Sequence, residues 1–305
     1  MHRQFDDLML GSVELFCLAG ELGGFTAAAT AAGVTPAAVS RAVARLEARL
    51  GIRLFVRSTR QIRLTDAGRV YMEQCRQALS QFADAERMAT GEDTQLSGRL
   101  RISVPTTYGH HRLLPLLPAF HREHPNVRLD LHISNRNVGF ADEAFDLAIR
   151  VRPQADSTMI VRHLEDAPLV VIASPAYLKE HRAPKTLKDL DDHECIQFDL
   201  PSSGRRIPWL FRNGKEDIEY ETESCFAVSE DVLGGVTLAR AGAGLFQTYR
   251  FVVERELAEG TLVEVLPAFG GRSRPYNLLY PHSRFVPPRV RAFIDFLTSH
   301  VAING

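Results

Sequence analysis

The chain has 305 residues with 36 Lys+Arg against 37 Asp+Glu, for a formal net charge of -1. Its 45% hydrophobic and 24% charged residues are ordinary for a globular protein, and its length suggests two domains. No run of about 18 apolar residues occurs, which excludes a membrane-spanning helix. Cys17, Cys75, Cys195 and Cys225 stand far apart without Cys-x-x-Cys spacing, which argues against a disulfide framework and against a cysteine metal site.

At the N-terminus, Asp6 and Asp7 precede an amphipathic first apolar stretch, so no secretory signal is expected and the chain reads as cytoplasmic. Residues 25–50 then read as a short helix, a glycine turn and a second helix. Thr26 is the expected N-cap of the first helix, and Gly33 supplies the turn. Thr35 is the expected N-cap of the second helix, with Pro36 at its first position, where a missing N–H costs nothing. Val39, Val43, Leu46 and Leu50 recur on one face and should pack inward, while Arg41, Arg45 and Arg49 recur on another. Gly51 is the expected left-handed stop.

Residues 53–65 follow as two short alternating runs about a polar turn, a hairpin pattern. Between Ser40 and Arg76 there are nine arginines against three acids, a net of +6 in one compact stretch. In an otherwise neutral chain, that local excess is the footprint of a phosphate-binding surface.

Residues 16–68 resemble the winged helix-turn-helix of the LysR-type transcriptional regulators. The resemblance rests on Phe25-Thr26-Ala27-Ala28-Ala29, Val39-Ser40-Arg41-Ala42-Val43-Ala44-Arg45-Leu46-Glu47, Leu50-Gly51-Ile52-Arg53-Leu54-Phe55 and Leu64-Thr65-Asp66-Ala67-Gly68. It implies double-stranded DNA as partner, contacted through Thr35, Pro36, Ala37, Ala38, Ser40, Arg41, Arg45, Arg57, Thr59, Arg60 and Arg63. The family usually carries Gln and Pro where this chain has Pro36 and Ala37. A side-chain hydrogen bond to a base is therefore lost at Pro36, and Ala37 and Ala38 are left to meet thymine methyls.

Residues 66–89 read as one long helix with a heptad seam of Tyr71, Cys75, Ala78, Phe82, Ala85 and Ala89. The family places a dimerising linker helix here, which assigns Tyr71, Cys75, Ala78, Phe82 and Ala85 to a homodimer or homotetramer interface. The expected domains are a DNA-binding domain at 1–65, the linker helix at 66–90, a polar hinge at 91–99 and an effector-binding domain at 100–305.

Beyond the hinge, strands alternate with helices. Strands are expected at 100–104, 127–133, 145–150, 169–173 and 276–280, and helices at 112–124 and 289–301. This rhythm implies an α/β domain with largely parallel sheets. The resemblance implies a periplasmic-binding-protein-like α/β domain of two subdomains, with the chain crossing at about 162–168 and returning at about 267–275. Subdomain I then takes about 100–165 and 270–305, and subdomain II about 166–269.

In such a fold a small-molecule co-inducer sits between the subdomains, at strand ends and helix N-termini. Position selects Pro105, Thr106, Thr107, Ser134, Asn135, Phe198, Ser229 and Gln247 as effector-binding residues, with hydroxyls and amides near Thr106 suited to a carboxylate. No metal, cofactor or catalytic group is expected, since the histidines lack supporting ligands at metal spacing and no hydrolase or P-loop motif occurs. An enzyme or transport-type binding protein would leave the N-terminal third unexplained. A ligand-free architectural DNA protein would leave the α/β region unexplained. The resemblance thus implies a regulator whose operator contacts respond to an effector, with RNA polymerase as a further partner.

Overall fold

The computed structural model describes residues 7–57, 62–90, 96–136, 145–151, 159–201, 203–282 and 286–304. These form two compact units, divided after Gln95.

The first unit opens with α1 (Asp7–Glu21), α2 (Phe25–Ala32) and α3 (Pro36–Leu50). Gly24, in an extended conformation, precedes α2 and contributes no side-chain cap. Thr26 therefore sits inside the first turn and is not the N-cap the sequence suggests. Phe25 begins the helix instead, and its ring meets Phe55 edge-on at 5.6 Å between centroids. Thr35 does cap α3: its hydroxyl accepts from the Ala38 amide at 3.2 Å. Gly33 and Gly51 close the two helices at φ of 65° and 68°. Val39, Val43 and Leu46 are buried as their spacing requires, against Phe16 and Cys17 of α1.

The hairpin is present as β1 (Phe55–Arg57) and β2 (Ile62–Leu64), antiparallel with Phe55 opposite Leu64. The long helix α4 (Asp66–Thr90) follows at once. Its first turn lies directly against the strand entering the hairpin. A Cβ added at Gly68 would stand 2.1 Å from the Leu54 carbonyl oxygen, so only glycine permits that approach.

The second unit begins with β3 (Gly98–Val104), α5 (Thr106–Tyr108), α6 (Leu117–Glu123), β4 (Val127–Ile133) and β5 (Leu147–Arg150). The helical run starts at Thr106, earlier than the 112 expected. It passes through a π-helical turn (Gly109–Leu113) and a 3-10 turn (Leu114–Leu116) before α6. Pro115 and Pro118 lack the amides a regular ladder needs, which accounts for the mixed helix.

Next come β6 (Met159–Ala173), α7 (Pro175–Glu180), β7 (Gln197–Asp199), β8 (Trp209–Asn213), β9 (Glu216–Tyr220) and β10 (Ala227–Ser229). The chain continues through α8 (Val232–Arg240), β11 (Phe246–Tyr249), α9 (Arg250–Glu259), β12 (Val263–Val265), β13 (Ser273–Pro281) and α10 (Pro288–Asn304).

The strand β6 is the architectural surprise. A strand over 169–173 alone was expected, yet β6 runs unbroken for 15 residues. Its first part pairs with β13 and its last five residues pair with β11 and β12. One strand therefore serves two lobes, giving a seven-stranded sheet in the order β11-β6-β13-β5-β3-β4 with β12 also on β6. The expectation of largely parallel sheets needs correction. β3 is parallel to β4 and β5, but β6, β13, β11 and β12 pair antiparallel. The two crossings between lobes run in opposite directions along one another, which imposes that antiparallel centre.

Candidate nucleic-acid interface and effector site

In the first unit, α3 presents Arg41, Arg45 and Arg49 as exposed residues, and Arg63 is exposed on β2. Pro36 and Ala37 are exposed at the capped N-terminus of α3, while Ala38 and Ser40 are half-buried. Arg45 also donates to the Ser12 hydroxyl at 3.1 Å, which ties α3 to α1. Among the described residues, Arg53 pairs with Glu47, Arg69 with Asp66 and Arg76 with Glu21. Thr59, Arg60 and the Arg57 side chain lie outside the described residues.

Glu47 holds the hairpin to α3. It is 5% exposed and accepts from the Leu54 amide at 2.8 Å, the Phe55 amide at 3.2 Å and Arg53 at 2.9 Å. Burial pushes its carboxyl up, but the Phe55 and Leu54 amides and the Arg53 guanidinium outweigh burial and hold it below the usual carboxylate value. In the sequence Glu47 stands at the end of the family-like run 39–47 and as one acid among the arginines, with no role of its own marked. Its position one turn before the end of a helix, seven residues ahead of Leu54, is the signal that was there to use.

On α4 the proposed seam divides. Cys75 is buried and Tyr71 is packed with it in the core of the first unit, where Tyr71 meets Phe16 at 5.6 Å between ring centroids. Ala78, Phe82 and Ala85 are exposed, Phe82 at 56%.

In the second unit the predicted effector residues form two groups. The first surrounds the start of α5. Pro105 is buried ahead of it, and the Ser134 amide donates to the Val104 carbonyl. The Thr106 amide donates to Asn135 Oδ1 at 3.1 Å, and Asn135 Nδ2 donates back to Thr106 Oγ1 at 3.0 Å. Asn135 Nδ2 also donates to the Glu230 carbonyl at 2.5 Å, and Arg136 pairs with the Glu230 carboxylate at 2.9 Å. Glu230 has φ of 66°, a strained value for a residue other than glycine. These contacts join the loop after β4 in one lobe to the turn before α8 in the other. Thr107 is 1% exposed with its hydroxyl on the Tyr276 hydroxyl at 3.1 Å, so it belongs to the core. Ser229 is exposed beside Glu230.

Asn135→Ala is expected to lower the melting temperature of this unit by about 3–6 °C, because the amide and hydroxyl of Thr106 lose their partner. Arg136→Ala, at a largely exposed ion pair, is expected to shift the melting temperature much less than Asn135→Ala. Differential scanning calorimetry checks both. An Arg136→Ala shift as large as that of Asn135→Ala would show that the exposed pair holds the lobes as strongly as Asn135 does.

The second group lines a small, solvent-open recess near the lobe crossing. Phe198 and Gln247 line it together with Trp209, Phe246, Tyr249 and Arg274. Gln247 pairs both ends of its amide with the backbone of Leu210, at 2.8 and 2.9 Å. Trp209, Tyr249 and Arg274 escaped the sequence reading because nothing local marks them. β8, β11 and the return strand β13 bring them together from distant parts of the chain. Among the described residues no group of His, Cys, Asp and Glu could hold a metal ion.

Two family profiles match the chain. One, described as a bacterial regulatory helix-turn-helix protein of the lysR family, matches residues 10–69, and one described as a LysR substrate binding domain matches residues 93–302. An HTH-type transcriptional regulator of Xanthomonas campestris is 32% identical, over 97% of this chain and 86% of that protein. The solved structure of CrgA from Neisseria meningitidis is 30% identical, with a TM-score of 0.61 over 95% of this chain and 98% of CrgA. The full-length structure of AphB from Vibrio cholerae is 28% identical, with a TM-score of 0.60 over 95% of this chain and 98% of AphB.

Proposed function

The chain belongs to the LysR family of bacterial transcriptional regulators, and from that premise we propose how its own residues do the work. It is a DNA-binding regulator with an effector-binding domain, not an enzyme. α3 enters the major groove with its N-terminus toward the bases, placing Thr35, Pro36, Ala37, Ala38 and Ser40 at base edges and Arg41 and Arg45 at bases or phosphates. The hairpin, with Arg57, Thr59, Arg60 and Arg63, lies along the neighbouring backbone. A homodimer, or a tetramer built from two, joins through the exposed half of α4 and presents two such helices to paired half-sites. The effector binds one arrangement of the two lobes better than the other and shifts that equilibrium, changing operator contacts and, through them, the approach of RNA polymerase. The protein acts in the cytoplasm, without a metal or resident cofactor.

The capped α3 with its exposed arginine face carries this reading. Arg41→Ala should weaken operator binding and reduce the slope of log affinity against log salt by about 1, if Arg41 neutralises one phosphate. Fluorescence anisotropy across a salt series checks it. Unchanged affinity and slope would remove Arg41 from the interface.

A further inference from the structure

We propose that His193 is an acid-sensitive support of the contact between the two lobes. Protonation of its ring breaks its bond to Tyr177 and loosens residues 223–230, the segment that ends in Glu230. This needs no ligand and goes beyond the effector reading; only its consequence for operator contacts rests on that reading. Tyr177, on α7, is 4% exposed and contacts two histidine rings. The His181 ring stacks on it at 4.3 Å between centroids. The Tyr177 hydroxyl lies 3.0 Å from His193 Nδ1 and accepts from the Glu194 amide at 3.2 Å. Of these two neighbours only Nδ1 can take the hydroxyl proton, so the set closes when His193 is neutral. A proton on Nδ1 aims two donors at one oxygen and expels the hydroxyl's own proton from the set.

The surroundings favour the neutral ring. Burial and the nearby His181 hold His193 below the ordinary histidine value, and they outweigh the Arg182 carbonyl, Asp189 and Asp192, which favour the charged ring. Asp189 accepts from the Lys185 and Thr186 amides at 2.7 and 2.9 Å, so its carboxylate caps the 3-10 turn (Leu187–Asp192). The stabilisation from neutral His193 is therefore present above the ordinary value and is lost as pH falls through the lowered one. From Glu194 the effect has a path of bonds. Its carboxylate accepts from Ser224 Oγ at 2.9 Å and from the Cys225 amide at 3.1 Å, and Ser224 Oγ accepts from the Phe226 amide at 3.0 Å. Phe226 leads into β10 and then to Glu230, which holds Asn135 and Arg136 of the other lobe. Glu230 keeps its positive φ only while its surroundings fix it, so a loosened segment lets the turn relax and the lobe contact part.

Hydrogen exchange of the full-length protein, followed by mass spectrometry at about pH 7.5 and about pH 5 and corrected for intrinsic rates, tests this. Ser224 and the Cys225 amide hold the Glu194 carboxyl below the ordinary carboxylate value, so it stays charged at both. In the wild type, protection over 223–230 should fall at least about tenfold relative to β3 on going to the lower pH. His193→Asn keeps a neutral acceptor beside the hydroxyl and should change less than about twofold. Tyr177→Phe keeps the ring in the core without the hydroxyl, so its segment should exchange fast at both pH values, and that result stands whether or not His193→Asn folds. His181→Asn should keep the acid step and move it to higher pH, because the neighbouring ring no longer opposes the charge on His193. A wild type with no loss of protection overturns the proposal. So does a full acid step in His193→Asn or Tyr177→Phe, or its disappearance in His181→Asn. Exchange needs no operator, so a missing step overturns the switch alone, while operator binding of the same protein at about pH 7.5 tests the regulator reading separately.

Discussion

Glu47→Ala is expected to destabilise the DNA-binding unit by about 2–4 kcal/mol and to lower its melting temperature by roughly 10–20 °C. The reason is specific. The Leu54 and Phe55 amides are buried and converge on one carboxylate oxygen, and alanine leaves both without an acceptor. Arg53 is 76% exposed and returns to water at little cost, so the loss comes from the amides and not from a stranded cation. The same carboxylate makes the unit acid-sensitive. Its folded-state value lies below the ordinary 4.5, so its stabilisation is complete above about that pH and is lost as pH falls through the lowered value. Glu47→Gln should flatten this part of the pH profile. Thermal unfolding followed by circular dichroism between pH 3 and 7 (about 0.5-unit steps) checks both variants. A Glu47→Ala protein as stable as wild type would mean that the hairpin is held by something other than Glu47.

The second large effect concerns assembly. Ala78→Glu with Phe82→Glu should give monomers in sedimentation velocity and reduce operator affinity by about 10²–10⁴, the loss expected when two half-sites are no longer bound together. Phe82 is 56% exposed on α4, and burying two such rings against each other is worth about 2 kcal/mol per ring. Two carboxylates in each chain would make that contact repulsive. The folded state of each chain should survive, because neither side chain enters the core of the first unit. A double variant that stays dimeric would move the interface off this helix.

Features governed by neighbouring residues were readable from the sequence. Thr35, Pro36 and Gly51 bound α3 by capping and backbone rules that act within a few residues, and the arginine face followed from helical spacing. β4 was readable to the residue, since its alternation ends at both sides in polar residues. The failures came where a distant partner decided the outcome. Thr26 obeys the local capping rule, but Phe25 is drawn into the helix by its contact with Phe55. The polar stretch Arg162-His163-Leu164-Glu165-Asp166 reads as a linker, yet pairing with β13 keeps it extended. Tyr71 and Cys75 fit a heptad seam, but the helix-turn-helix core reaches them first. The effector residues divided for the same reason. Strand-end position identified Thr106 and Asn135 without revealing that each satisfies the other, and the recess is assembled from segments that no single motif spans.

Capture of genomic fragments by the purified full-length protein at about 50 mM salt, followed by sequencing, bears most directly on the DNA-binding role of α3 and the hairpin. Enriched fragments should share paired half-sites about one helical turn or a multiple of it apart, and log affinity should fall linearly with log salt. Retention of no fragment above the level held by shuffled DNA of the same length would contradict the account.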